Sequence, residues 1–196
     1  NIKSILTGHG KVAKGAKEIL DGMKIKQVSI ADYLTKKYSE PVYTQIDTLD
    51  YNKRKDGKES SKQDFYQNPQ EYISDFERFT KVSDVFMAGH FHGNGSPDIL
   101  TNEMLRAHDN KIQVVADISC DVAGPIACTT KASTIADPFF GYLPSEHKEV
   151  SYTHPASIMV MSVDNLPCEL PRDASEGFGE AFMEHVIPAF FNNDKD

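Results

Sequence analysis

The chain has 196 residues, 21 Lys+Arg against 29 Asp+Glu, and a formal net charge of −8. That length suits one domain spanning residues 1–196, and 39% hydrophobic residues with 10% aromatics support a packed core rather than disorder. The acidic balance argues against nucleic acid or an anionic membrane as partner, since both are held chiefly through Lys and Arg. No window approaches the ~18 uninterrupted apolar residues of a membrane span, and no secretory leader is visible. The three cysteines, Cys120, Cys128 and Cys168, are widely spaced. They imply neither a disulfide framework nor a four-ligand zinc site, and a reducing, cytoplasmic setting is the expectation. The first residue is Asn rather than Met, which raises the expectation of a piece of something larger.

Ile2–Thr7 reads as a short β-branched strand that runs into Gly8-His9-Gly10. Val12, Ala16, Ile19, Leu20 and Met23 then recur with helical period on one face, and Gly22 ends the helix. Ile25–Ile30 is a second strand closed by Ala31-Asp32, which completes a β-α-β unit. Pro41–Ile46 is a short strand, Asn52–Asp64 a charged surface loop, and Pro69–Phe79 a helix with Tyr72, Ile73, Phe76 and Phe79 on one side. Ser83–Ala88 is the next strand, ending in Gly89-His-Phe-His-Gly93. Thr101 caps a short helix to His108, with Glu103 in its first turn. Ile112–Ile118 is the most apolar strand and Ala156–Val163 the last. A closing helix starts near Asp173 and carries Phe178, Ala181, Phe182 and Val186 on one stripe. Strands alternating with helices predict an α/β fold: a doubly wound, mostly parallel sheet with helices on both faces.

The strongest local signal is Gly8-His9-Gly10-Lys11-Val12-Ala13, which matches the G-x-G-x-x-G/A turn of Rossmann-like domains. The first glycine permits the tight turn, the second lets a pyrophosphate approach the backbone, and the third small residue lets helix and strand pack closely. The helix N-terminus offers free N–H groups and a positive dipole end to the phosphates. Asp32 follows Gly10 at about the 20-residue distance of the acidic partner of the adenosine ribose. The cofactor expected is NAD. NADP stays open, because Lys11 and Lys14 could meet a 2′-phosphate.

His90 and His92 flank Phe91 between two glycines. As i and i+2 in an extended stretch they could share a metal, with Asp117 or Asp121 near in a parallel sheet as a third ligand, but neither is a clear one. A glycine-flanked loop at a strand end is the favoured reading, with no metal expected. Ala116–Asp121 ends the apolar strand with two carboxylates and a hydroxyl, a candidate site edge. Nothing in the sequence activates Cys120 as a nucleophile. Taken alone, Val163-Asp-Asn-Leu-Pro167 is a turn.

Three stretches carry a resemblance to a known family. They are Ala116–Asp121, Cys128-Thr-Thr-Lys-Ala-Ser-Thr-Ile-Ala-Asp-Pro-Phe139, and Val163-Asp-Asn-Leu-Pro-Cys-Glu-Leu-Pro-Arg-Asp-Ala-Ser-Glu176, with Asn68–Phe76 in support. The chain resembles the saccharopine-forming and saccharopine-cleaving dehydrogenases, including the lysine–oxoglutarate reductase part of the bifunctional lysine-degrading enzyme. These sit within the wider alanine dehydrogenase/transhydrogenase group. The resemblance implies the NAD(P)-binding C-terminal lobe of a two-lobe enzyme, whose hydride transfer is coupled to C–N bond formation or cleavage between lysine and 2-oxoglutarate or a similar pair. It implies that Gly10, Lys11 and Val12, in the turn opened by Gly8 and His9, meet the pyrophosphate and Asp32 the ribose. Phe91 and Ile118 would lie along the cofactor, with Ser119, Cys120 and Asp121 facing a small amino-acid-derived substrate. Val163, Asp164, Asn165 and Leu166 would close over the nicotinamide end.

The family's catalytic lysine and histidine lie in the other lobe, upstream of the glycine turn, so no catalytic residue is expected in this chain and the chain alone is expected to be inactive. Gly89–Gly93 departs from the family pattern. Rival readings are an alanine dehydrogenase-like deaminating enzyme, a metal-dependent hydrolase using His90, His92 and an aspartate, and a non-catalytic nucleotide-sensing module. Phe178, Phe182, Phe190 and Phe191 are expected to form an apolar patch that packs on the catalytic lobe or on a second copy.

Overall fold

A computed structural model describes residues 1–191. In chain order its elements are β1 (Lys3–Thr7), α1 (Lys11–Gly22), β2 (Lys26–Gln27), α2 (Ile30–Thr35), β3 (Val42–Ile46), α3 (Thr48–Tyr51), β4 (Asn52–Arg54), α4 (Lys62–Gln67), β5 (Tyr72–Ser74) and α5 (Glu77–Thr80). There follow β6 (Val85–Ala88), α6 (Asn102–Arg106), β7 (Val114–Asp117), β8 (Phe139–Leu143), β9 (Lys148–Val150), β10 (Ile158–Met161) and α7 (Pro171–His185). The chain divides into two compact units, Asn1–Asp164 and the stretch from Asn165 onward.

The first unit holds an eight-stranded sheet of order β2-β3-β1-β6-β7-β10-β8-β9. It is parallel from β2 through β10, and β8 and β9 add an antiparallel edge. Alternation along β1 sends successive side chains to opposite faces. Ile5 joins the larger core with Tyr33, Phe76, Phe86, Val115 and Val160, whereas Leu6 packs under α1 with Ala13, Leu20 and Tyr43. Both faces are therefore covered, as a parallel sheet requires, and the architecture is the expected α/β Rossmann-like fold.

Local expectations fare unevenly. Thr101 does cap α6, its hydroxyl accepting from the Met104 amide at 3.3 Å. The strand expected over Ile25–Ile30 shrinks to two residues, because Ser29 accepts from the Asp32 amide at 3.2 Å and starts α2. The helix expected over Pro69–Phe79 is broken. Pro69 opens a single 3-10 turn, and Tyr72–Ser74 pairs with Asn52–Arg54 inside the supposed loop. This two-stranded sheet is held where Asp64 accepts from the Tyr72 hydroxyl at 2.6 Å and pairs with Arg54.

The hairpin of β8 and β9 carries no sequence expectation at all. Gly141 sits within it because a Cβ there would lie 2.5 Å from the Ser151 carbonyl oxygen. On α1 the buried residues are Ala13 and Leu20, while Val12, Ile19 and Met23 face out. The expected stripe is thus turned by about one residue.

The second unit contains a 3-10 turn at Leu166–Glu169, then α7, then a 3-10 turn at Ile187–Phe190. Within that unit α7 buries none of its side chains, and Phe178 and Phe182 stack with ring centroids 5.8 Å apart. Among the described residues no helix is long and apolar enough to cross a membrane.

Candidate functional site

After β1 the chain lays down β2 and β3 on one side and later β6 on the other, so the strand order reverses between β1 and β6. Open α/β sheets bind ligands at the carboxyl ends of their strands at such a reversal. A cleft of about 640 Å³ opens there, lined by the turn Gly8–Val12, Asp47, Thr48, Lys62, Tyr66, Gly89–His92, Ile118, Ser119 and Asp121.

Each small residue of the turn has a distinct structural reason. Gly8 adopts φ +94°, and a Cβ on it would sit 2.5 Å from the Gly89 carbonyl oxygen, so the ends of β1 and β6 meet here. Its amide donates to the Ile46 carbonyl at 2.9 Å, and its own carbonyl accepts from the Gln45 side chain at 2.8 Å, which ties the turn to β3. Ala13 is fully buried against Gly89, where a Cβ on the glycine would meet the Ala13 Cα at 3.2 Å. Gly10 differs from both, because a Cβ on it would meet nothing within 4 Å. It precedes α1 in an extended conformation with no side-chain cap and no acidic residue in the first turn. The first N–H groups of a 12-residue helix are left facing the cleft.

The opposite wall is a buried polar knot. Asp117 is fully buried at the end of β7. It accepts from the Ser119 hydroxyl at 2.5 Å, the Cys120 amide at 3.0 Å and the Thr129 hydroxyl at 2.6 Å. These bonds hold Cys120 at φ +50° and fix the Ser119–Asp121 loop. Cys120 points away from the cleft, its thiol donating to the Ser162 carbonyl at 3.0 Å. Burial, then the charges of Asp117, Asp164 and Asp121, push that thiol's pKa up, so it stays protonated and unreactive. Among the described residues no group of three His, Cys, Asp or Glu is placed to hold a metal ion.

Asp32 is not where its spacing suggested. It lies in the first turn of α2, paired to Lys36 at 2.9 Å, and not among the residues lining the cleft. The strand beside β1 is β3, not β2, and the acidic residue at its end is Asp47. Asp47 caps α3 by accepting from the Thr48 amide at 2.7 Å, and it pairs with Lys62 across the cleft rim. Burial would raise its pKa, but Lys62, the Thr48 amide and His9 outweigh burial and hold it below the usual range. Sequence reasoning missed Asp47, Thr48, Lys62 and Tyr66. The available signal was the five-residue strand Val42–Ile46 running into the capping box of Asp47 and Asp50.

Of the other expected residues, Phe91 and Ile118 line the cleft beside Ser119 and Asp121. Val163 is buried next to Ser133 and Asp164 is exposed, and neither lines the cleft. Asn165 and Leu166 begin the second unit.

Fold and cleft together define a Rossmann-like α/β domain with a glycine turn at the strand-order reversal. No protein-family model matches the chain. It is 26% identical over 202 residues to an alpha-aminoadipic semialdehyde synthase of Arabidopsis thaliana, covering 93% of this chain and 19% of that protein. The mitochondrial alpha-aminoadipic semialdehyde synthase of Rattus norvegicus is 26% identical over 208 residues, 93% of this chain and 22% of that protein. A saccharopine dehydrogenase [NAD(+), L-lysine-forming] of Schizosaccharomyces pombe is 33% identical over 114 residues, 56% of this chain and 29% of that protein. Homologues of the chain are thus alpha-aminoadipic semialdehyde synthases and saccharopine dehydrogenases, which supports the resemblance seen in the sequence. The chain spans about a fifth of the length of the synthases it matches.

Proposed function

We propose that this chain is the dinucleotide-binding lobe of an amino-acid oxidoreductase of saccharopine dehydrogenase type, with NAD as its cofactor. The observation that carries the reading is the uncapped N-terminus of α1 behind Gly10, facing an open cleft at the strand-order reversal. The residues present fit such a group. The backbone of Gly8–Val12 holds the pyrophosphate, which the acidic surface does not, and Asp47 takes the ribose hydroxyls in the role first expected of Asp32. Asp47 also disfavours a 2′-phosphate, although Lys62 beside it leaves a place for NADP.

Phe91 and Ile118 lie along the dinucleotide, and Ser119, whose hydroxyl Asp117 holds, and Asp121 face the amino-acid-derived substrate. The resemblance gives Val163–Leu166 to the nicotinamide end. When bound, the nicotinamide supplies hydride transfer coupled to making or breaking a C–N bond between an amino acid and a 2-oxo acid. The residues of this lobe bind and orient; the groups that manage the protons of the imine belong to a partner lobe.

Titrating the chain with NADH and NADPH and following nicotinamide fluorescence tests the reading. Saturable binding, tighter for NADH, is expected. No saturable binding of either at millimolar levels, in a chain that is folded by circular dichroism, would refute it.

A further inference from the structure

The proposed function leaves α4, on the rim of the cleft, almost without a part. This helix is seated on the small sheet of β4 and β5. Ser61 caps it by accepting from the Asp64 amide at 3.1 Å. Asp64 accepts from the Tyr72 hydroxyl at 2.6 Å and pairs with Arg54. Phe65 is buried, its ring centroid 5.0 Å from that of Tyr72. Lys62 and Tyr66 stand four positions apart, which puts them on a shared face of the helix, and both line the cleft.

Tyr66 is 59% exposed, with Phe65 edge-on to its ring at 5.7 Å. A single exposed aromatic on a convex surface needs no explanation. This one stands in a cleft wall beside a fixed ion pair. One carboxylate oxygen of Asp47 accepts from the Thr48 amide at 2.7 Å, and the other pairs with Lys62. Asp47 also feels His9 of the glycine turn, and Lys62 feels Tyr66 as well as Asp47. Turn, carboxylate, ammonium and aromatic ring are therefore neighbours along one rim. A dinucleotide with its pyrophosphate on the turn and its adenosine ribose at Asp47 carries its adenine onward toward α4. Any base can stack on an aromatic ring, because every base has a π-face. The ribose 2′ oxygen, bonded to the Asp47 carboxylate, comes within reach of the ammonium that the same carboxylate holds.

We infer that Lys62 and Tyr66 of α4 form the adenosine subsite of the cleft. Tyr66 stacks on the adenine, and Lys62 stands at the ribose 2′ position, where it partly offsets the repulsion between Asp47 and a 2′-phosphate. This rests on the dinucleotide reading of the cleft and adds a specificity to it: the site prefers NADH without rejecting NADPH. The small sheet of β4 and β5 then has a part as well, as the support of the adenosine wall.

The test follows the aromatic 1H resonances of the chain during titration with NADH, ADP and 2′,5′-ADP. Those of Tyr66 are identified from their absence in Tyr66→Ala. All three ligands should move the Tyr66 signals upfield, as stacking on a base requires. Tyr66→Ala should weaken ADP and 2′,5′-ADP alike by about fivefold or more, the worth of stacking one base, and Tyr66→Phe should restore them. Lys62→Met should weaken 2′,5′-ADP roughly 10- to 100-fold relative to ADP, the worth of a hydrogen bond between charged partners. Both side chains are more than half exposed, so these variants open no cavity. Saturable NADH binding that leaves the Tyr66 signals unmoved overturns the inference and leaves the function standing. Equal losses for ADP and 2′,5′-ADP in Lys62→Met overturn the place given to Lys62. Absence of NADH binding in the unmodified chain overturns both the inference and the function.

Discussion

Gly8 and Gly10 stand two residues apart in one turn, yet alanine at each should fail in a different way. At Gly8 the backbone has φ +94°, where an L-residue loses about 1–2 kcal/mol. The added methyl would also lie 2.5 Å from the Gly89 carbonyl oxygen and 3.0 Å from the His90 Cα. These are backbone atoms, so relief means separating the ends of β1 and β6, an overpacking cost of roughly 1–3 kcal/mol. Gly8→Ala should therefore destabilise the first unit by about 2–5 kcal/mol. At Gly10 φ is −75°, which any residue adopts, and the methyl meets nothing within 4 Å. Losing glycine as an N-cap costs about 0.5–1 kcal/mol, and the stiffer unfolded chain returns about 0.4–1 kcal/mol. Gly10→Ala should leave stability nearly unchanged. Its methyl, however, occupies the space a pyrophosphate needs, and NADH affinity should drop at least about tenfold. Urea unfolding and NADH fluorescence on both variants check the pair. With an m-value of about 2 kcal/mol/M, Gly8→Ala should move the midpoint by roughly 1–2.5 M. An unmoved midpoint for Gly8→Ala would refute the close-approach argument. Unmodified NADH affinity in Gly10→Ala would refute the placement of the phosphates.

His90 should also set an acid limit on stability. Its pKa is lowered from 6.5 to about 4 in the folded chain, so between those values the unfolded state binds the extra proton. Stability should fall by up to about 3 kcal/mol as pH drops through that window. His92, lowered chiefly by burial, adds in the same direction. Urea midpoints from pH 7.5 to 4.5 should slope in the parent chain and flatten in His90→Phe; equal slopes would count against it. At Asp117, alanine orphans three donors and should cost roughly 3–5 kcal/mol, whereas asparagine should cost far less, because the Thr129 hydroxyl can turn to accept from the new amide. Equal losses in the two variants would contradict the assigned bonds. Thiol labelling should run in three phases, with exposed Cys168 first, Cys120 slowly, and buried Cys128 only on unfolding, since burial pushes both slower thiols' pKa values up. Fast modification of Cys128 in the folded chain would contradict its burial.

What could be read in the sequence follows the range of the interactions that decide it. The strand–turn–helix from Lys3 to Gly22 is local, and Gly8, Gly10 and Ala13 each announce a steric need within a few residues. The Thr101 cap is local too. The stripe on α1 failed because the partner surface was unknown. Gly89 draws the helix so close that only Ala13 fits, and the buried face becomes Ala13, Ala16 and Leu20 in place of Val12, Ile19 and Met23. The tertiary contact chose small side chains over more hydrophobic ones.

Asp32 shows the same limit at the level of topology. Counting about 20 residues from the glycine turn assumes that the second strand in the chain is the neighbour of the first. Here β2 is a two-residue edge, and β3 takes the place beside β1. The acidic residue at the carboxyl end of that adjacent strand is Asp47, which lines the cleft where Asp32 does not. His90 belongs to this class as well. Its relation to Thr7 spans 83 positions of sequence and exists only because β1 and β6 are adjacent. A cleft built from strand ends is thus specified by sheet order. A motif at one strand end shows that such a cleft exists, and the neighbouring strands determine which side chains complete it.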